Sequence, residues 1–152
     1  MAPLATRASE AAQDLASMAS AAVLGNVTIP GRPEHVSAAR SFVAKALGEA
    51  NPITDVAVLL VSETVTNSVL HSNSRRADGT VTVTVIEIDG GMRIEVTDEG
   101  SELNIPVVKG HSCVTGGHGL FLVQSLADQW GYVRDELGTT VWFWLGPACQ
   151  RD

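Results

Sequence analysis

Lysine and cysteine are nearly missing from this chain, which has only Lys45, Lys109, Cys113 and Cys149 among 152 residues. With eight arginines against 17 acidic residues, the net charge is −7. A protein that tracks a phosphate backbone needs a basic face, and the Arg75-Arg76 pair is too small to make one, so direct nucleic-acid binding is not expected. Neither lysine follows a glycine-rich loop, which excludes a P-loop. The two cysteines form neither a disulfide framework nor a metal motif and suit a reducing cytoplasm. His35, His71, His111 and His118 fall into no cluster with metal-ligand spacing. No run approaches the roughly 20 apolar residues that span a membrane. The alanine-rich start carries Glu10 and Asp14 and does not read as a secretory signal.

What the chain has is 45% hydrophobic residues and enough length for one domain with a sizeable core. Residues 1–22 read as an Ala/Ser extension outside that core, and 147–152 as a tail. Val23–Ile29 has strand character and is stopped by Pro30-Gly31. Pro33–Gly48 carries Val36, Ala39, Val43 and Leu47 at helical spacing. A second, longer helix is expected from about Thr54 to Ser72. Val81–Ile88 and Met92–Asp98 flank an Asp89-Gly90-Gly91 turn, a hairpin signal. Residues 99–116 form a long loop with little periodicity. The spacing of Leu120, Val123, Leu126, Ala127 and Trp130 predicts a helix over 119–130. Gly131–Glu136 and Thr139–Leu145 read as a closing hairpin. Val141, Phe143 and Leu145 lie on one face of its last strand, with Trp142 and Trp144 on the other. Those tryptophans are either covered by packing or mark a partner or dimer surface. This order implies an α+β, two-layer domain.

Three groups of polar residues stand out. Glu63 and Asn67 sit one turn apart in the long hydrophobic helix and point the same way. Placed on an apolar face, they call for a polar partner. Asp98 shares the parity of Met92, Ile94 and Val96, so its carboxylate points inward at a strand end. Gly116-Gly117-His118-Gly119-Leu120 precedes a helix, where bare backbone N–H groups attract anions. An amide oxygen suits a hydrated Mg²⁺ that also takes phosphate oxygens. Glu63 is placed to accept a proton. Asp98 is suited to an exocyclic amine. Together they describe a Mg²⁺-nucleotide pocket.

The boxes Ser62–His71, Val96-Thr-Asp-Glu-Gly100 and Gly117-His-Gly-Leu-Phe-Leu-Val123, followed by Gly138-Thr-Thr, resemble the gyrase, heat-shock protein 90, histidine kinase and mismatch-repair ATPase superfamily. Within it, residues 23–146 are most similar to anti-sigma factor serine/threonine kinases. The resemblance implies a Bergerat-type ATP-binding fold, an α/β sandwich whose mixed, mostly antiparallel sheet has helices on one face. It implies ATP and Mg²⁺, with Glu63 as general base and Asn67 as the Mg²⁺ ligand. Asp98 would bind the adenine amino group and Gly100 would allow close approach. The backbone at Gly117, His118, Gly119 and Leu120 would hold phosphates, and Thr140 or its neighbour Thr139 would support the adenine. The implied partners are an anti-anti-sigma protein, which is phosphorylated, and a sigma factor, which is sequestered; a homodimer is common among such proteins. One departure stands out. Where the family has Asp-x-Gly-x-Gly, this chain reads Asp98-Glu-Gly-Ser-Glu102, and its lid carries only Lys109 as a fixed cation. The alternative is therefore a catalytically weak or inactive ATP/ADP-binding module that only binds partners.

Overall fold

The computed structural model describes residues 21–71, 76, 78–100, 118–136 and 138–147. The expected extension therefore lies almost wholly outside the described residues, as do most of the long loop and the tail. Five strands are described: β1 (Ala21–Pro30), β2 (Thr80–Ile88), β3 (Gly91–Asp98), β4 (Gln129–Asp135) and β5 (Gly138–Leu145). They form one sheet in the order β1-β2-β3-β5-β4, and every pairing is antiparallel. The sheet expected to be mixed is thus uniform, because each described neighbour pair runs in opposite directions. Helices α1 (Val36–Leu47), α2 (Thr54–His71) and α3 (His118–Leu126) accompany it, with a 3-10 turn at Pro33–His35 leading into α1. No described helix is long and apolar enough to cross a membrane.

Period-two alternation decides which face of each strand meets the helices. Val81, Val83 and Val85 of β2, Ile94 and Val96 of β3, and Phe143 and Leu145 of β5 all point inward. They pack with Val43 of α1 and with Leu60, Val61 and Val65 of α2, all completely buried. Phe143 is the largest fully buried side chain, and truncating such a residue to alanine typically costs about 3–5 kcal/mol.

The opposite, outer face is largely polar. Thr28 and Thr82 share a hydroxyl hydrogen bond of 2.9 Å, as do Thr97 and Thr140. Arg93 pairs with Glu95 at 2.9 Å and lies over the Trp142 ring. Trp144 donates its indole N–H to the Ile88 carbonyl at 2.9 Å. Both indoles are half-buried, so packing covers much of them. Each lies against a glycine. A Cβ on Gly91 would fall 2.8 Å from the Trp144 ring, and one on Gly131 would fall 2.8 Å from the Trp142 ring. Only a glycine backbone lets an indole lie that close.

Several boundaries differ from expectation, two of them for an identifiable cause. β1 starts at Ala21 rather than Val23, because Ala21 and Ala22 pair with Ile88 and Glu87. The helix expected over 119–130 ends at Leu126. Asp128 ends it: its backbone N–H donates to Trp144 O, and its carboxylate accepts from Gly146 N–H at 2.6 Å. The chain then enters β4, where Trp130 pairs with Phe143 instead of extending the helical stripe. Trp130 still packs on the core, so its apolar character was read correctly and its period was not.

Candidate functional site

α2 is apolar on nearly every side, so its sequence alone leaves the buried face ambiguous. The structure buries Ala57, Leu60, Val61, Thr64, Val65, Ser68 and Val69. Glu63 and Asn67 flank that face and are half-buried, and Leu59 and Leu70 beyond them are exposed. They sit at the edge of the buried face rather than at its centre, and Thr64 and Ser68 are the buried polar pair of this helix. Thr64 satisfies its hydroxyl on the Leu60 carbonyl at 2.7 Å. No side-chain hydrogen bond or ion pair ties Glu63 or Asn67 to another described residue.

Ser68 reaches across to β3, where its hydroxyl bonds the carboxylate of Asp98. Asp98 closes the inward-facing series of β3 as expected and is only 7% exposed. The backbone N–H of Gly100 donates to Asp98 Oδ1 at 2.7 Å, and that of Thr139 is a third donor. Burial pushes the Asp98 carboxyl above its ordinary value; the three donors pull it back and neighbouring Glu99 raises it. A carboxylate offers roughly four lone-pair sites. The Gly100 N–H fills one of them, and Ser68 and Thr139 act on the same carboxylate.

Gly100 has φ +72, and a Cβ there would sit 3.3 Å from the Gly138 Cα. The position needs glycine for its backbone conformation, and the Gly138 contact leaves little room for a side chain. Thr139 pairs with Asp98 across β3 and β5 and is buried on the same side. Its Oγ1 finds no hydrogen-bond partner among the described residues. A buried hydroxyl left unpaired costs about 1–3 kcal/mol. Thr140, named as the adenine support, instead faces the outer side and is tied to Thr97. Strand alternation admits only one of the two threonines to the Asp98 side, and it is Thr139.

α3 begins at His118, directly after the glycine run, so the backbone of His118, Gly119 and Leu120 forms its first turn. These N–H groups precede any intrahelical partner and carry the positive end of the helix dipole. Gly117 lies outside the described residues, as do Glu102 and Lys109 of the loop.

Sequence reasoning missed Ser68 and gave Thr139 second place. Both have a sequence signal. Ser68 follows Thr64 by four residues on one face. Thr139 shares the parity of Val141, Phe143 and Leu145, the strand's core face. A cavity of about 240 Å³ lies elsewhere, between α1 and α2, lined by Glu34, Arg40, Ser62, Thr66 and others. It includes none of the predicted site residues, and the chemistry of Asp98 and Thr139 outweighs its size.

A five-stranded antiparallel sheet with helices on one face, and a buried aspartate at the end of an inner strand, define a nucleotide-binding α/β sandwich of the histidine-kinase type. The profile of the histidine kinase-like ATPase domain matches residues 29–145, and the chain belongs to that family. The serine-protein kinase RsbW of Listeria monocytogenes serovar 1/2a is 29% identical over 122 residues, covering 71% of this chain and 78% of the relative. An anti-sigma F factor of Clostridium botulinum is 34% identical over 88 residues, covering 55% of this chain and 61% of the relative. Among solved structures, the RsbU and RsbW domains of a Mycobacterium tuberculosis protein align with a TM-score of 0.58 at 21% identity. That match covers 81% of this chain, which spans about a third of the solved one, 32%. The histidine kinase domain of a blue-light-activated kinase from Erythrobacter litoralis gives 0.51 at 24% identity, covering 81% and 68%. These two likenesses establish the fold.

Proposed function

We propose that this chain is an ATP- and Mg²⁺-dependent serine/threonine protein kinase of the anti-sigma type, acting in the cytoplasm. It phosphorylates an anti-anti-sigma partner and sequesters a sigma factor. Residues 23–146 form the ATP-binding unit, with 1–22 and 147–152 as appendages. The observation that carries this reading is the Asp98 cluster. A buried carboxylate beside the Thr139 hydroxyl, which has no hydrogen-bond partner among the described residues, fits an adenine edge. Family membership and the names of the relatives supply the rest of the support.

In this reading Asp98 accepts from the adenine amino group and Ser68 holds the carboxylate in place. Thr139 donates to the purine ring or to a water beside it. The first turn of α3, with Gly117 before it, receives the phosphates at its free N–H groups. Asn67 presents its amide oxygen to Mg²⁺, which neutralises phosphate charge when bound. Glu63, one turn away on the same flank, takes the proton from the attacking serine or threonine hydroxyl of the partner. Positioning and charge neutralisation carry most of such a transfer.

The second reading is a nucleotide-gated binding module without transfer, favoured by Glu102 where a second glycine is usual. One assay separates them: labelled ATP, Mg²⁺ and candidate anti-anti-sigma proteins. Transfer that Glu63→Gln reduces by about 10²–10⁴-fold, with nucleotide affinity kept, supports the kinase. Tight binding with no transfer to any partner supports the module. No binding of ATP or ADP at millimolar concentration sinks both.

A further inference from the structure

A sheet edge presents a row of unpaired N–H and C=O groups, and proteins blunt such edges with bulges, prolines or charge. The described strands leave two edges, β1 and β4. The two are not treated alike. On β1 the register shifts between Val23 and Gly25, so Leu24 stands out of the ladder as a bulge, and Pro30 ends the strand without an N–H. β4 has neither device. It pairs with β5 one residue for one from Gln129 to Asp135, with no shift, no proline and no lysine. Its middle is open and apolar: Tyr132 is 43% exposed and Val133 is 59% exposed. They project from opposite faces of the sheet, because Tyr132 lies beside Val141 of the core face and Val133 beside Thr140 of the outer face.

We propose that the β4 edge pairs antiparallel with β4 of a second copy, joining the two sheets into one continuous sheet about a two-fold axis. The strand is self-complementary in one register. With the axis on Tyr132, all 7 of its residues are opposed by a strand residue. Tyr132 meets the partner's Tyr132, Gly131 the partner's Val133, Trp130 the partner's Arg134, and Gln129 the partner's Asp135. An axis on Gly131 or on Val133 leaves two residues at one end without a strand partner. An axis on Arg134 sets arginine against arginine, and like charges directly opposite repel.

The Tyr132 register also gives the exposed side chains their cover. On the inner side two tyrosine rings face each other, and each Trp130 meets a guanidinium; aromatic and cation–aromatic pairs of this kind stabilise opposed strands. On the outer side Gly131 has no side chain, and the Trp142 ring fills its place, within 2.8 Å of where a Cβ would stand. The partner's Val133, opposite that glycine, comes down beside the edge of the indole. The two-fold repeats the contact, so both exposed valines and both half-buried tryptophans lose water together. A valine facing a glycine is a poor cross-strand pair by itself; the indole seated in the notch completes it. The inference does not depend on the nucleotide site.

The test uses the full chain with Cys113→Ser and Cys149→Ser. Sedimentation velocity over about 1–500 μM should show a monomer–dimer equilibrium. Tyr132→Lys sets like charges face to face on the axis and should weaken the dimer by at least about tenfold, while Leu24→Lys on the other edge leaves it unchanged. The register is read by mild oxidation, which needs no charged substitution. Tyr132→Cys places two thiols directly opposite, within the roughly 4.4–6.8 Å between Cα atoms that a disulfide accepts. Val133→Cys leaves its two thiols out of register and beyond about 7 Å, so its dimer should cross-link about tenfold more slowly. A monomer at every concentration overturns the proposal. A dimer that survives Tyr132→Lys and is lost in Leu24→Lys assigns the interface to β1 and also overturns it. So does cross-linking at equal rates in the two cysteine variants.

Discussion

Replacing Ser68 with alanine should weaken the fold in a way that depends on pH. The hydroxyl bonds a carboxylate that is only 7% exposed, and a hydrogen bond to a charged group is worth about 1.5–3 kcal/mol. At about 2–4 °C per kcal/mol for a domain of this size, Ser68→Ala should lower the melting temperature by roughly 3–12 °C at pH 7. The sign follows from the Asp98 shift. Its folded-state value lies above the ordinary 3.8, chiefly through burial, so the folded protein binds this proton more tightly than the unfolded chain. The contribution of Asp98 to stability is therefore greatest at low pH and falls as pH rises from 3.8 through the folded value. Loss of the Ser68 hydroxyl raises the folded value further and extends that decline upward. Well below pH 3.8, where Asp98 is protonated in the folded and unfolded states alike, the cost of Ser68→Ala should shrink to that of a neutral hydrogen bond, about 0.5–1.5 kcal/mol. Urea unfolding across this range, with Asp98→Asn as the second arm of a double-mutant cycle, measures it. A cost independent of pH, or additivity within about 0.3–0.5 kcal/mol, refutes the reasoning.

Thr139→Val should leave stability unchanged or raise it by about 1 kcal/mol, because it removes an unpaired buried hydroxyl, while lowering ADP affinity measured by calorimetry. Thr140→Val should do the reverse, breaking the bond to Thr97 and sparing affinity. Gly100→Ala should cost about 1–2 kcal/mol in denaturant unfolding, because φ is +72 and Gly138 lies close. Phe143→Ala should cost about 3–5 kcal/mol by the same measurement.

Turn chemistry made much of this fold legible. Asp89-Gly90 sits between β2 and β3 with φ of 55 and 76, the conformation a two-residue hairpin turn demands. Alternation in β3 correctly aimed Asp98 inward. Two kinds of information were not local. The buried face of α2 could not be chosen from its own residues, because an apolar helix between other helices and a sheet has little contrast to read. Glu63 and Asn67 consequently looked buried, while Ser68 carries the buried contact to β3. The end of α3 depends on Asp128 finding Gly146, a partner 18 residues away, and no helical period encodes that.

The glycine notches under the two indoles bear on the distant site. Trp142 seated on Gly131 and Trp144 seated on Gly91 behave as a two-toothed key between β3, β5 and β4. A slip of one residue would turn both rings toward the helices, and a slip of two would drive a ring into a neighbouring side chain. Only the native alignment fits, and in that alignment Thr139 falls opposite Asp98. The tryptophans therefore act as a gauge block for chemistry they never touch. A side chain added at Gly131 would be felt at the other end of the strands, where Asp98 would lose Thr139 as its neighbour.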